Sequence, residues 1–417
     1  MGFIKTVTAG LLALPSLLLL LVTAPVVAIL SIPSLYLLCF ETSDAPKQPS
    51  SSSSSNDNNN SNNEKISDHA IISGGSSGIG LSIARDCVKR GFSNVTIVAR
   101  NKSNLEKAVQ ELETLKRNSK TQTIISFKSV DVTNPTLLKA AADEICCCTP
   151  TTTTSSKNDS NNDNNDDDDD DDDDAATAAA ASATKKYYLF CCAGTAMPSY
   201  FEHIPSSTFA HLASCNQLGT IYTVQAFLPH MTQGTIVFTS SVCGQLGVFG
   251  YTAYCPTKFA IRGFAEALHA ELVDQPHLNV QVAFPPDTDT PGFAQEEKTK
   301  PPETRIISEN AGLAKPDDVA NRMVQEAIKR NPSFLVYFGF EGWMVASLTA
   351  GMSPVSTVAD AMTQVSLNGL FRFVSLFFLN DWWTMIRKCS QDRLDKNQPK
   401  RRPGDTGEKL DGTEKTD

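Results

Sequence analysis

The sequence predicts an α/β protein built on a doubly wound parallel sheet, with apolar segments near both termini. From residue 66 onward, short runs rich in Val, Ile, Tyr and Phe alternate with amphipathic stretches. This alternation is typical of parallel sheets that carry helices on both faces. A glycine-rich turn separates the first such run from the first amphipathic stretch. A third observation, an uncharged apolar run at the N-terminus, adds a membrane segment to the sheet.

Six strands are predicted from their β-branched and aromatic residues, at positions 70–73, 94–99, 124–130, 187–192, 234–239 and 280–284. Amphipathic spacing predicts helices between them, the first three at 79–90, at 105–116 and from Pro135. Proline suits the first turn of a helix because that position needs no N–H donor. The predicted sheet domain spans residues 66–335.

Two low-complexity segments lie outside this pattern, a linker at 42–65 and an acidic insertion at 149–184. The chain has a formal net charge of −10, and residues 157–174 alone hold eleven Asp and one Lys, a sum of −10. The remainder is therefore neutral, which argues against a nucleic-acid-binding protein. Neither segment can bury enough apolar surface to offset the entropy of ordering, so both are predicted to be disordered.

The cysteines and the Asp run predict no metal site and no disulfide framework. The chain has eleven Cys, with adjacent clusters at 146–148 and 191–192. Adjacent cysteines rarely pair with each other, and none shows a CxxC spacing, so a reducing compartment is expected. The Asp run lacks the spaced ligands and the glycine of an EF-hand.

Residues 1–41 are predicted to form a membrane anchor. Positions 6–40 carry no charge and are dense in Leu, Val and Ile, whereas one span needs about 20 residues. This run is longer than the apolar core of a cleaved signal peptide. Pro15, Pro25 and Pro33 interrupt it, so a kinked span or a re-entrant hairpin is expected rather than one straight helix.

The glycine-rich turn predicts a dinucleotide site at the junction of the first strand and the first helix. It has the pattern GxxxGxG, formed by Gly74, Gly75, Ser76, Ser77, Gly78, Ile79 and Gly80. Glycine permits the tight turn and lets backbone N–H groups approach a pyrophosphate at the helix N-terminus. The predicted sheet is therefore of the Rossmann type.

Residues after the second and third strands indicate which dinucleotide binds. NAD sites usually place an acid at the end of the second strand to hold the ribose hydroxyls. Arg100 stands there instead and suits a 2′-phosphate, so NADPH is the predicted cofactor; a solvated surface arginine is the alternative. Asp131 and Val132 are predicted to contact the adenine, and a turn or helix-capping role is the alternative for Asp131.

A candidate catalytic set follows the fifth strand. Tyr254 lies thirteen residues after Ser241, and Lys258 lies four residues after Tyr254. Positions i and i+4 share a helix face, so Tyr254 and Lys258 can reach one cleft. A phenol with a pKa near 10 carries protons poorly at pH 7, and a nearby ammonium lowers that pKa. The set predicts an oxidoreductase in which Ser241 bonds the substrate carbonyl and Tyr254 donates the proton.

Together with the upstream glycine-rich turn, this spacing resembles the short-chain dehydrogenase/reductase family over roughly residues 66–330. The resemblance implies that Lys258 also holds the nicotinamide ribose and that Asn216 supports a proton-relay water and orients that lysine. It also implies that Gly194 lets the backbone approach the cofactor. In one departure, this chain has Cys-Cys-Ala-Gly at 191–194 where the family has Asn-Asn-Ala-Gly. The usual polar contacts of the first Asn are therefore in question.

Three segments narrow the resemblance to the 3-ketodihydrosphingosine reductases, namely 258–263, 284–293 and 351–355. That subfamily implies NADPH-dependent reduction of 3-oxosphinganine to sphinganine in sphingolipid synthesis. It also implies the endoplasmic reticulum membrane, with the catalytic domain facing the cytosol. The loop at 286–293 would fold over the nicotinamide, and Asp287 or Asp289 would receive the substrate amine unless it caps the loop. A rigid loop without a substrate role is the alternative.

Residues 336–390 are predicted to associate with the membrane, ahead of a polar tail at 391–417. Positions 342–359 carry no charge, and positions 371–383 are rich in Phe, Leu and Trp. Basic residues then accumulate, as suits an anionic membrane surface. A shallow hairpin or interfacial helices would fit, and a buried oligomer interface is the alternative.

Two other functions remain open from the residues. A membrane-bound reductase of a steroid or retinoid would need the same catalytic set. A non-catalytic nucleotide-binding scaffold would need none of Ser241, Tyr254, Lys258 and Asn216, so their joint presence argues against it. The expected partners are a lipid substrate and a membrane, with a homo-oligomer as a further possibility.

Overall fold

The computed structural model describes residues 67–147 and 185–397, and in these ranges it contains a seven-stranded parallel sheet. The strands are β1 (Ser67–Ser73), β2 (Asn94–Ala99), β3 (Ile124–Ser129), β4 (Lys185–Cys191), β5 (Gly234–Thr239), β6 (Leu278–Ala283) and β7 (Leu335–Val336). Their order across the sheet is β3-β2-β1-β4-β5-β6-β7. This order is that of a Rossmann-type sheet with one added edge strand.

Helices connect the strands and pack on both faces. They are α1 (Gly78–Arg90), α2 (Lys102–Ser119), α3 (Pro135–Cys147), α4 (Ser206–Leu212), α5 (Gly219–Phe227), α6 (Cys255–Glu271), α7 (Pro291–Glu296), α8 (Pro302–Ala311), α9 (Pro316–Ala327), α10 (Gly339–Leu348) and α11 (Val358–Asn397). A π-helical segment, Ala213–Leu218, joins α4 to α5. Four of the helices begin at a proline, whose fixed φ suits the first turn.

The strand order changes direction at β1. On one side Ser73 of β1 lies opposite Val98 of β2, and on the other side it lies opposite Cys191 of β4. The chain runs outward from β1 to β3 and then crosses back to β4. In open α/β sheets, ligands bind beyond the carboxyl ends of the strands at such a reversal. The fold therefore brings the glycine-rich turn after β1 beside the segment after β4.

The sheet separates two apolar cores. Ile71 and Ile72 of β1 pack on opposite faces, and so do Val237 and Phe238 of β5. Helices α3, α5 and α6 supply apolar side chains to one core, and α1, α2 and α9 supply them to the other. Because the central strands are buried on both faces, they are continuous apolar runs rather than alternating ones.

The structure confirms the parallel sheet, and the six predicted strands are present with bounds that differ by at most three residues. The pattern does not predict β7, because two residues show no alternation. This strand lies across the predicted domain limit at residue 335, and the domain limits stay a prediction. The N-terminal anchor, the linker at 42–65 and the acidic insertion at 149–184 fall outside the described residues.

The C-terminal part contains α11, a helix of 40 residues. Within the described ranges it is the one helix long and apolar enough to cross a membrane, over Val358–Leu394, where an 18-residue window has a mean hydropathy of 1.2. By its length and composition, this helix suggests membrane association. Two helices, α10 and α11, lie in the region 336–390 where a hairpin or interfacial helices are expected, and its membrane association stays a prediction. The chain divides into two compact units between Arg372 and Phe373.

Candidate active site

A cavity of about 410 Å³ opens beyond the carboxyl ends of the central strands. Twelve of the predicted site residues line it: Gly74, Ser76, Ser77, Gly78, Ile79, Gly80, Arg100, Val132, Gly194, Ser241, Tyr254 and Lys258. Asp131 and Asn216 do not line the cavity. Val132, which follows Asp131 in the chain, and Thr195, which donates a hydrogen bond to Asn216, do line it. The fold therefore brings the glycine-rich turn and the catalytic candidates to one place.

The glycine-rich turn leaves no room for side chains at Gly74, Gly75 and Gly80. Gly74 has a φ of +71°, and a Cβ there would lie 2.7 Å from the backbone N of Ala193. A Cβ on Gly80 would lie 2.4 Å from the carbonyl oxygen of Gly74. Ser77 precedes α1 in an extended conformation, and its side chain makes no capping hydrogen bond. The helix N-terminus therefore retains backbone N–H groups for an anionic ligand.

Arg100 and Asp131 form an exposed pair at the ends of β2 and β3. Arg100 Nη1 lies 3.7 Å from Asp131 Oδ2. The backbone N–H and the hydroxyl of Thr133 both donate to Asp131 Oδ1, at 2.9 and 2.8 Å. Partial burial acts to raise the pKa of Asp131. The bonds from Thr133 and the Arg100 charge outweigh it and hold the pKa below its usual value. Asp131 thus organises the turn after β3, and its contact with adenine stays a prediction.

Ser241 and Tyr254 both line the cavity. Ser241 begins a short 3₁₀ turn, Val242–Gly244, and its Oγ accepts from the backbone N–H of Cys243 at 3.2 Å. Burial raises the pKa of the Tyr254 phenol, nearby Cys243 and Glu296 add to the rise, and the Ser241 hydroxyl opposes it. Tyr254 therefore holds its proton at neutral pH, which suits a proton donor.

Lys258 lies one helical turn after Tyr254 and is almost completely buried. Its Nζ donates to the carbonyl oxygen of Thr239 at 2.8 Å and lies 5.5 Å from the centre of the Tyr254 ring. Burial lowers its pKa to about 8, which nearby groups partly oppose. Ser240 Oγ donates to the Lys258 carbonyl at 2.9 Å, and a Cβ on Gly244 would lie 2.2 Å from that Oγ. The end of β5 therefore packs closely against the start of α6.

Asn216 lies in the π-helical segment and is fully buried. Its Nδ2 donates to the Thr195 carbonyl at 2.9 Å and to Thr257 Oγ1 at 3.0 Å, and its Oδ1 accepts from the Thr195 N–H at 2.9 Å. The side chain thus joins the segment after β4 to α6. A Cβ on Gly194 would lie 3.3 Å from Asn216 Oδ1 and 3.6 Å from Lys258 Nζ. Asn216 therefore supports the cavity wall beside Lys258, and a proton-relay water there stays a prediction.

Cys191, the last residue of β4, and Cys192, which follows it, stand where the family pattern has two asparagines. Cys191 is buried in the core, whereas Cys192 lines the cavity. Cys192 Sγ accepts a hydrogen bond from Thr239 Oγ1 at 3.2 Å. Burial raises the pKa of the Cys192 thiol to about 11, although this bond and Lys258 oppose the rise. The thiol therefore stays protonated and is a poor nucleophile at neutral pH.

The loop after β6 forms another part of the cavity wall. Thr290 caps α7 by accepting from the Phe293 N–H at 3.1 Å, and a Cβ on Gly78 would lie 3.3 Å from Thr290 Cβ. The loop therefore contacts the glycine-rich turn. Asp287 lines the cavity but also accepts from the Ser308 hydroxyl and lies 3.7 Å from Lys300 Nζ. Asp289 is exposed and does not line the cavity.

Sequence reasoning misses several residues that shape this cavity. Thr239, Tyr251 and Glu296 line it, and Thr195 and Thr257 hold Asn216. Thr239 could have been found from its position at the end of β5. Tyr251 and Glu296 carry no signal of that kind, because they meet only when α7 folds against the start of α6. Within the described residues, no group of three or more Cys, His, Asp and Glu could hold a metal ion.

The chain is similar to several known proteins. The family described as short chain dehydrogenase matches residues 68–147 and 165–301. A Mus musculus protein named 3-ketodihydrosphingosine reductase is 40% identical over 329 residues, which cover 77% of this chain and 86% of that protein. A Danio rerio protein named 3-dehydrosphinganine reductase is 37% identical over 333 residues, covering 78% and 87%. The family match and these identities agree with the geometry of the cavity, and the chain belongs to the short-chain dehydrogenase family.

Proposed function

We propose that this protein uses NADPH to reduce 3-oxosphinganine to sphinganine. The observation that carries the proposal is the placement of Ser241, Tyr254 and Lys258 on one cavity at the strand-order reversal. The substrate is inferred from the mouse and zebrafish relatives, which are named for this reaction and align with more than three quarters of the chain. The three segments that resemble the same subfamily in sequence support the same substrate.

The cavity fits a dinucleotide with a 2′-phosphate. Gly74 and Gly80 leave space where side chains would block the turn, and the start of α1 offers backbone N–H groups to a pyrophosphate. Arg100 lines the cavity with an exposed guanidinium that can form charge-assisted bonds to a phosphate. NADPH supplies the hydride when it is bound. We assign Asp131, Val132 and Gly194 to the same cofactor site.

The chain's own residues then hold the ketone and supply its proton. Ser241 donates a hydrogen bond to the C3 carbonyl oxygen and fixes its position beside Tyr254. Tyr254 gives its phenolic proton to the alkoxide oxygen as the carbonyl is reduced. The Lys258 ammonium, 5.5 Å from the ring centre, stabilises the phenolate that results. Asn216 holds the wall of the cavity beside Lys258 and supports the path by which the phenolate regains a proton.

The long-chain substrate favours a site next to a membrane. Each buried methylene contributes about 0.8 kcal/mol, so a chain of eighteen carbons resides in lipid. The apolar N-terminal run and the long apolar helix α11 are two segments that could hold the enzyme at a bilayer. We propose that this membrane is the endoplasmic reticulum and that the catalytic domain faces the cytosol.

A substrate panel tests the proposal. Vesicles that contain the full chain and NADPH are supplied with 3-oxosphinganine, a 3-ketosteroid or retinal, and each alcohol is measured by mass spectrometry. We expect sphinganine to form much faster than either other product. Rapid reduction of the steroid or retinal with no sphinganine would contradict the substrate and leave the family membership intact. Absence of every product with folded protein would contradict the enzymatic function.

A further inference from the structure

The acid best placed to recognise a substrate ammonium is neither of the two that the sequence suggests. We propose that Glu296 binds the C2 ammonium of the amino ketone and thereby selects it over neutral ketones. This inference rests on the proposed function, because it concerns the same cavity and the same substrate.

Glu296 stands close to the catalytic tyrosine. It is the last residue of α7, it lines the cavity, and its Oε2 accepts from the Tyr251 hydroxyl at 3.0 Å. The ring centres of Tyr251 and Tyr254 lie 5.6 Å apart. In the proposed substrate, the carbon that carries the ammonium is bonded directly to the carbon that is reduced. A group that recognises the ammonium must therefore lie near Tyr254, and Glu296 meets that condition.

The neighbouring acids already have cationic partners. Lys300 Nζ lies 2.5 Å from Glu297 and 3.7 Å from Asp287, and it donates to Ser308 Oγ at 3.0 Å. The same ammonium lies 3.9 Å from the centre of the Phe293 ring. Lys300 is thus held by the loop and by α8. The hydrogen-bond partner of Glu296 is instead the neutral phenol of Tyr251, and a carboxylate can accept several bonds at once.

The surroundings make a cationic ligand favourable at Glu296. Burial raises the pKa of Glu296, although the Tyr251 bond and the Lys300 charge oppose the rise. A partly desolvated carboxylate is unfavourable until a cation pairs with it. The negative charge of an unpaired Glu296 carboxylate would also disfavour formation of the alkoxide beside Tyr254, because like charges repel. The substrate ammonium removes both penalties, whereas a neutral ketone removes neither, so Glu296 discriminates against neutral ketones.

The test compares two ketones that differ only in the amine, 3-oxosphinganine and 1-hydroxyoctadecan-3-one, presented in vesicles at equal mole fraction. Glu296→Gln keeps the shape of the side chain and removes its charge. We expect the ratio of kcat/KM for the amino ketone to that for the neutral ketone to fall by about 10- to 150-fold. The matched control is Glu297→Gln, which alters the adjacent acid and should leave this ratio unchanged. Equal loss of activity on both ketones in Glu296→Gln would overturn the inference and leave the proposed function standing.

A measurement on the wild-type enzyme covers the case in which the variant fails to fold. Sphinganine and octadecane-1,3-diol are compared as product inhibitors at equal mole fraction in the same vesicles. If Glu296 binds the ammonium, the inhibition constant of sphinganine should be at least about tenfold lower. Equal inhibition constants would overturn the inference. Failure of the wild type to reduce either ketone would overturn the proposed function itself and the inference with it.

Discussion

Arg262 of α6 donates a hydrogen bond to the hydroxyl of Ser353, 91 residues later in the chain, at 2.7 Å. The same Nη2 donates to the carbonyl oxygens of Thr349 and Ala350 at 2.6 and 2.7 Å, and Nε pairs with Glu266 at 2.9 Å. Both segments joined by Arg262 resemble the 3-ketodihydrosphingosine reductases in sequence. The two segments lie far apart in the sequence, but the bonds of Arg262 hold the turn after α10 against α6, the helix that follows Tyr254.

The contact predicts that Arg262→Lys destabilises the fold. An ammonium keeps the charge but cannot reproduce the planar arrangement of donors, so several of these bonds should be lost. We expect the free energy of unfolding to fall by about 1.5–3 kcal/mol, the range for hydrogen bonds to a charged group. Denaturant unfolding of the full chain in detergent measures the change. Arg330→Lys alters an exposed arginine and is the matched control; equal stability of the two variants would contradict the role of Arg262.

A second prediction concerns the choice of cofactor. If Arg100 binds the 2′-phosphate, Arg100→Ala should raise the KM for NADPH by about 10- to 150-fold and change that for NADH far less. Steady-state kinetics with both cofactors measures the difference. Lys107→Ala, which removes an exposed charge from α2, should leave the preference unchanged. Similar increases for both cofactors would remove Arg100 from the phosphate site.

The acidic insertion is predicted to be dispensable for the reaction. It connects Cys147, at the end of α3, to Lys185, at the amino end of β4, whereas the cavity lies at the carboxyl ends of the strands. Replacing residues 150–184 with a short Gly-Ser linker should leave kcat/KM nearly unchanged. The free-energy cost of closing a loop changes by about 0.6 kcal/mol when its length is halved. The free energy of unfolding should therefore change by about 1 kcal/mol. Loss of activity in a variant with wild-type circular dichroism would show that the insertion takes part in the reaction.

The buried Lys258 predicts a pH dependence. Burial lowers its pKa to about 8, so in the free enzyme the ammonium loses its charge as the pH rises through that value. The pKa of Tyr254 is raised, so the phenol keeps its proton over the same range. The value of kcat/KM for NADPH reports the free enzyme and should fall above about pH 8. Lys258→Arg keeps its charge, and any residual activity should lack this fall; a flat wild-type profile up to pH 10 would contradict the assignment.

Local sequence spacing predicts those parts of the site whose residues lie in a single helix or turn. Tyr254 and Lys258 are found because they lie one helical turn apart, and Gly74 and Gly80 because a tight turn needs them. Glu296 and Tyr251 are not found, because their contact depends on how α7 folds back onto the start of α6. The π-helical segment around Asn216 is likewise not predicted, and the bonds of Asn216 to Thr195 and Thr257 depend on how three separate segments meet.

The central claim is that Tyr254 donates the proton when 3-oxosphinganine is reduced. The most direct test measures sphinganine formed from 3-oxosphinganine and NADPH by wild-type protein and by Tyr254→Phe in the same vesicles. Phe keeps the ring and has no proton to give, so we expect the variant to lose at least about 100-fold in kcat while it remains folded. Near-wild-type production of sphinganine by Tyr254→Phe would contradict this account.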